Sequence, residues 1–168
     1  RPTMAVQVGE DVKCGQLLFS DKKTPGVDFV SPGCGRITEI NRGAKRTLES
    51  VVIELSGDDQ VEFASFAEVA PDQLTREQAR ALLLESGLWT ALRTRPYSKV
   101  PPPNQVPHSI FVTAMDSNPL AADPDVVAAG HESDIAAGLA VLVKLTDGEV
   151  FFCKAHGASI SAAGAAGV

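Results

Sequence analysis

A chain of 168 residues, 44% of them hydrophobic, with a formal net charge of -6, can bury one core or two small ones. It lacks the clustered Lys and Arg that nucleic-acid phosphates demand, which argues against a nucleic-acid partner. Its apolar runs, such as residues 136–143, fall far short of the roughly 20 residues of a membrane helix. Three cysteines (Cys14, Cys34, Cys153), with no C-x-x-C pair, supply neither a disulfide framework nor zinc-site spacing, and fit a reducing cytosol. Arg1 is no initiator Met, and the Ala/Gly-rich tail, residues 159–168, ends with neither a helix stop nor a strand, the pattern of a piece of a longer protein.

The first 66 residues read as short β-prone runs bounded by Gly, Pro and Asp: 4–8, 16–20, 27–30, 36–40 and 50–55. Val51, Ile53 and Leu55 alternate with Glu54, the signature of a half-buried strand. Val61, Glu62 and Phe63 suggest one more strand. Residues 75–92 then read as a helix, with Thr75 as N-cap, Gln78 at the capping-box position, and Ala79, Leu82, Leu83 and Leu88 at helical intervals; Gly87 ends or bends it.

Pro96, Pro101, Pro102, Pro103 and Pro107 forbid regular helix over residues 93–107 and favour an extended linker. The boundary between two domains is therefore expected within 67–108. From Ser109 the pattern becomes α/β. Residues 110–115 form an apolar run of the kind buried on both faces of a sheet, Asp116, Ser117, Asn118 and Pro119 turn, Asp123 and Pro124 start a helix to about Leu145, and residues 150–153 are a second strand. Strand, crossover helix and strand predict a parallel, right-handed βαβ unit, the opening of a Rossmann-like sheet.

The segment V-G-E-D-V-K-C-G-Q-L-L (8–18), followed by S-P-G-C-G-R-I (31–37), resembles the first hairpins of the biotinyl/lipoyl fold. In that fold Gly9 and Gly15 take conformations that strain other residues, while Val8, Val12 and Leu17 point inward. Carriers of this fold attach their prosthetic group to a Lys between the two motifs, where Lys22 and Lys23 stand here. Thr24, Pro25 and Gly26 lengthen that connection, and the Met-Lys-Met of biotin carriers is missing. Two solvated turn lysines on a scaffold are favoured over a carrier modified at Lys22 or Lys23.

Three further strings, I-N-R-G-A-K-R (40–46), S-G-L-W-T-A-L-R-T-R-P (86–96) and T-A-M-D-S-N-P-L-A-A-D-P (113–124), resemble the A subunit family of the bacterial sodium-translocating NADH:quinone oxidoreductase along essentially the whole chain. The resemblance implies an α+β fragment: a biotinyl/lipoyl-like β domain (1–66), a helix and Pro-rich linker (67–108), and a truncated Rossmann-like α/β domain (109–168). It implies a peripheral subunit on the cytoplasmic face of the inner membrane, whose partners are the other subunits of a complex that passes electrons from NADH to ubiquinone and exports sodium. Flavins, NADH oxidation and the iron-sulfur centre belong to other subunits in that family, and ubiquinone is a candidate ligand of this one.

A more distant resemblance is to the flavin- and NADH-binding subunit of respiratory complex I, in which S-G-L precedes a glycine-rich loop that cradles flavin phosphate. Ser86, Gly87 and Leu88 are kept, but residues 89–95 hold no glycine, and bulky Trp89, Leu92 and Arg93 obstruct a phosphate cradle. Asp116 stands alone where the flavoprotein places two acids. A Rossmann-like domain that has lost flavin and NADH binding is expected, with no catalytic, cofactor-binding or metal residues and an assembly and docking role.

His108, His131 and His156 read as surface residues, and Cys153 as a small core residue at a strand end, where ligands of open α/β sheets also sit. Arg93 and Arg95 suit carboxylates of a neighbouring subunit, an anion, or solvent. Trp89 is expected to pack on the following domain.

Overall fold

A computed structural model describes residues 2–64 and 69–161. The chain divides into two compact units: residues 1–65 with 80–105, and residues 66–79 with 106–168. The expected boundary near residues 66 and 67, and the last residues of the Ala/Gly tail, lie outside the described residues.

Among the described residues, the first unit holds six strands in two antiparallel sheets. β1 (Thr3–Met4), β3 (Leu17–Ser20) and β4 (Asp28–Val30) form one sheet in the order β1-β3-β4. β2 (Asp11–Val12), β5 (Gly35–Arg42) and β6 (Leu48–Leu55) form the other, in the order β2-β5-β6. Val6, Val12, Leu18 and Ile37 make the buried core, with Met4, Phe19, Ile40, Val51 and Ile53 packed against it. Gly9 and Gly15 have φ of +92° and +83°, as the hairpin motif requires. Two inward positions differ from expectation. Val8 is exposed, at the tip of a turn closed by a hydrogen bond from Glu10 N to Gln7 O, so Val6 fills the core in its stead. A register shift between Leu17 and Phe19 reverses the side-chain parity, turning Leu18 inward and Leu17 out.

The S-P-G segment has a local reason. Ser31 is 1% exposed and its hydroxyl donates to Gly33 O at 2.6 Å, while its backbone pairs with Gln16 O and Gly15 N. Val51 and Ile53 are half-buried as the alternation predicts, but Leu55 is exposed because β6 ends there. Residues 61–63 are not a strand: Gln60 makes a single parallel bridge to Cys14, and Phe63 packs over Gly15.

α1 (Arg76–Glu85) starts on the expected reciprocal cap: Thr75 N donates to Gln78 Oε1 at 2.9 Å and Gln78 N to Thr75 Oγ1 at 3.2 Å. It ends before Leu92, because Gly87 adopts φ +74° and a 3₁₀ turn, Leu88–Ala91, follows. The proline-rich chain then turns between Thr94 and Lys99, with a cis Arg95–Pro96 bond, and again between Pro102 and Gln105.

In the second unit β7 (Ile110–Ala114) pairs in parallel with β8 (Val150–Lys154), Ile110 opposite Val150 and Ala114 opposite Lys154. The expected single crossover helix is two, α2 (Pro124–Ala128) and α3 (Glu132–Val143), broken at Gly130. Asp123 caps α2, its side chain accepting from Asp125 N. β7 is not buried on both faces. Ile110, Val112 and Ala114 are half-buried while Phe111 is 65% exposed, stacked on Phe151 with ring centroids 4.9 Å apart. α3 packs against β8, and among the described residues no helix covers the face that carries the two Phe rings.

Candidate functional site

The carboxyl ends of β7 and β8 are where open parallel sheets place ligands. There the second unit has a cleft of about 390 Å³, lined by Met115, Asp116 and Ser117 after β7, Asp123 and Asp125 at the start of α2, and His156 and Gly157 after β8. Its carboxylates already serve backbone groups. Asp116 accepts from Asn118 N at 2.9 Å and from Asn118 Nδ2 at 2.7 Å. Asp125 accepts from Ser159 N at 2.9 and 3.1 Å and from Ile160 N at 3.0 Å. Those two amides, Ser159 first, hold the Asp125 carboxyl below the usual aspartate range, aided by the charge of Lys154.

Lys154 Nζ is also engaged, donating to Ala158 O at 3.0 Å and Ile160 O at 2.8 Å. Asp125 and Lys154 thus pin the strap after β8 from both sides. Three carboxylates line the cleft, and His156 is the one titratable nitrogen among its described lining residues. This is poor terrain for a phosphate. Cys153, paired with Thr113 across the sheet, is half-buried and outside the lining residues.

The S-G-L turn lies in the first unit. A Cβ placed on Gly87 would stand 2.6 Å from Val30 Cγ2 and 3.1 Å from Cγ1. The turn is thus packed against the sandwich by its own backbone. Thr90 closes it, with N and Oγ1 both donating to Gly87 O. Trp89 is 4% exposed, and its Nε1 donates to Pro101 O at 2.9 Å within the same unit. Arg93 folds its guanidinium back onto the carbonyls of Thr90 and Leu92.

Lys22 and Lys23 are exposed in the connection between β3 and β4, where Asp21 Oδ1 accepts from Lys23 N at 2.9 Å. Neither sits in a tight two-residue hairpin. His108 contacts Ser109 and His131 contacts Asp134, so the three histidines stand apart at exposed positions. Among the described residues no cluster of His, Cys, Asp and Glu could hold a metal ion, and no helix is long and apolar enough to cross a membrane.

Two family models cover this architecture: the NqrA N-terminal barrel-sandwich hybrid domain over residues 1–56 and the NqrA second alpha/beta domain over residues 74–168. The chain belongs to the NqrA family of the Na(+)-translocating NADH-quinone reductase. It is 57% identical over 165 residues to the NqrA subunit of Shewanella amazonensis, covering 98% of this chain and 37% of the relative. It is 59% identical over 162 residues to that of Serratia proteamaculans, covering 95% and 36%. With the Pseudomonas aeruginosa protein the identity is 55% over all 168 residues, 37% of the relative. The chain therefore spans a little over a third of the length of these curated relatives.

Proposed function

We propose that this chain is part of a peripheral, non-flavin subunit on the cytoplasmic face of the bacterial inner membrane, in a complex that couples electron transfer from NADH to ubiquinone to sodium export. Within that subunit it serves in assembly and docking: the β-sandwich is a scaffold, and the βαβ unit is the start of a Rossmann-like domain retired from nucleotide work.

The observation that carries this reading is the contact of Gly87 with Val30. A phosphate cradle needs exposed backbone N–H groups that an anion can approach. Here the glycine is filled from one side by an isopropyl group, Thr90 N is spent on Gly87 O, and bulky Trp89 follows. The acidic lining of the cleft in the second unit supports the same conclusion, since carboxylates repel a pyrophosphate.

The test is the absorbance spectrum of the purified full-length subunit. No flavin band is expected; a stoichiometric flavin overturns the proposal. Intact mass separates the carrier alternative, because lipoate or biotin on Lys22 or Lys23 would add its mass to the chain.

A further inference from the structure

No Asp or Glu stands between Glu85 and Asp116, on a chain with 21 acidic residues and 15 Lys and Arg. Within that acid-free stretch, the loop after the 3₁₀ turn carries Arg93, Arg95 and Lys99, all exposed. Tyr97, the one tyrosine of the chain, stands among them at 77% exposure. Among the described residues, none of these three cations pairs with a carboxylate.

The loop is held in one shape before any partner arrives. Thr94 N donates to Lys99 O at 2.8 Å, Ser98 N to Thr94 O at 2.7 Å, and Thr94 Oγ1 to Lys99 O at 3.1 Å, a clasp across the loop. The Arg93 guanidinium is fixed on the carbonyls of Thr90 and Leu92, and Lys99 Nζ lies 5.8 Å from the centroid of the Tyr97 ring. The hydrogen bond from Trp89 to Pro101 ties together the chain on either side of the loop. Less backbone freedom is therefore left to lose on binding.

Arg and Tyr are the residues that most often anchor protein interfaces, and a guanidinium grips a carboxylate through two parallel hydrogen bonds. Three cations fall short of the clusters of about 4–8 that hold a protein on anionic lipid. An exposed ring flanked by spaced, unpaired cations complements carboxylates set around a small apolar contact.

We propose that the Arg93–Lys99 loop docks on an acidic patch of a neighbouring subunit, Arg95 and Lys99 pairing with its Asp or Glu carboxylates and Tyr97 packing between them. The inference rests on the assembly and docking reading and names the surface that performs it.

The experiment is carbodiimide cross-linking of the assembled membrane complex, with its full-length subunit, followed by peptide mass spectrometry. Carbodiimide joins a Lys amine to a carboxylate in contact with it, with loss of one water. Lys99 is expected to be joined to an Asp or Glu of another subunit, and Arg95→Lys should add a second link to the same patch. A subunit with Arg95→Gln and Lys99→Gln should leave the complex roughly tenfold faster on dilution. Lys22→Gln with Lys23→Gln, an equal change of net charge at exposed lysines of the same unit, should leave at the wild-type rate. Circular dichroism of the purified full-length variants reports whether each is folded. A Lys99 joined only to its own chain or to a second copy, no Lys99 link at all, or wild-type dissociation by the Arg95/Lys99 variant overturns the proposal. So does binding to phosphatidylglycerol vesicles that needs Arg95 and Lys99 while no link to a subunit forms, which would assign the loop to lipid. A wild-type subunit that does not stay with the complex refutes the docking reading itself, whereas a variant that stays as firmly as wild type refutes this surface alone.

Discussion

Gly87 meets Val30 so closely that a single added methyl would stand 2.6 Å from Val30 Cγ2. The contact joins the turn after α1 to the end of β4, and it gives the glycine of S-G-L a packing reason besides its role in ending the helix. Gly87→Ala must both overlap Val30 and hold a left-handed backbone. The two costs together should destabilise the first unit by about 2–4 kcal/mol. In a Val30→Ala background the 2.6 and 3.1 Å overlaps are removed and only Val30 Cβ, at 3.3 Å, remains close, so the same change should cost about 1–2 kcal/mol. Urea unfolding followed by Trp89 fluorescence measures both; equal costs in the two backgrounds would refute the contact.

Trp89 is the one tryptophan of the chain, buried and hydrogen-bonded to Pro101 O. Trp89→Phe keeps much of the ring but leaves that carbonyl without its donor, a loss of about 1–3 kcal/mol. The change removes the fluorophore, so circular dichroism must follow the unfolding. Full wild-type stability would show that the indole N–H contributes nothing.

Asp125 links α2 to the strap after β8 through the amides of Ser159 and Ile160. Because those amides lower its pKa in the folded chain, its contribution is fully present above the ordinary aspartate value of about 3.9 and is lost as pH falls through the lowered folded value. The Ser159 and Ile160 amide NMR shifts should therefore titrate together at acid pH. In Asp125→Asn they should be insensitive over the same range, and at neutral pH the two amides should exchange faster than in wild type. Unchanged exchange at neutral pH would mean that the strap is held by other contacts.

Arg76 reaches from the start of α1 to the end of α3, donating through Nε to Lys144 O at 2.8 Å and through Nη2 to Thr146 O at 3.1 Å and to Asp147. Arg76→Ala frees helix-terminal carbonyls and should cost about 1–3 kcal/mol. Arg76→Lys should recover little of it, since an ammonium cannot reproduce the planar fork. Asp147→Asn should matter far less, because its side chain is 78% exposed and a surface ion pair contributes little. Thermal melts of the three variants rank these effects.

Much of this chain is legible in local chemistry. The Thr75–Gln78 cap, the left-handed Gly9 and Gly15, the run of short strands and the parallel β7–β8 pair follow from residue types and spacing, because caps, turns and periodicity are short-range. Family membership too is carried by local strings such as S-G-L-W-T-A-L-R-T-R-P, and similarity along essentially the whole chain bears it out.

What the tertiary structure alone decided depends on which neighbour arrives. The choice of Val6 and Leu18 over Val8 and Leu17 for the core came from a turn tip and a one-residue register shift. The break of the crossover helix at Gly130 and the exposed Phe111–Phe151 face depend on where α2 and α3 pack. Above all, which side chain packs against Gly87 cannot be read from S-G-L, since a glycine leaves the same small space to any neighbour. In this fold the hydrophobic packing of Val30 takes that space, by a contact 57 residues away in sequence.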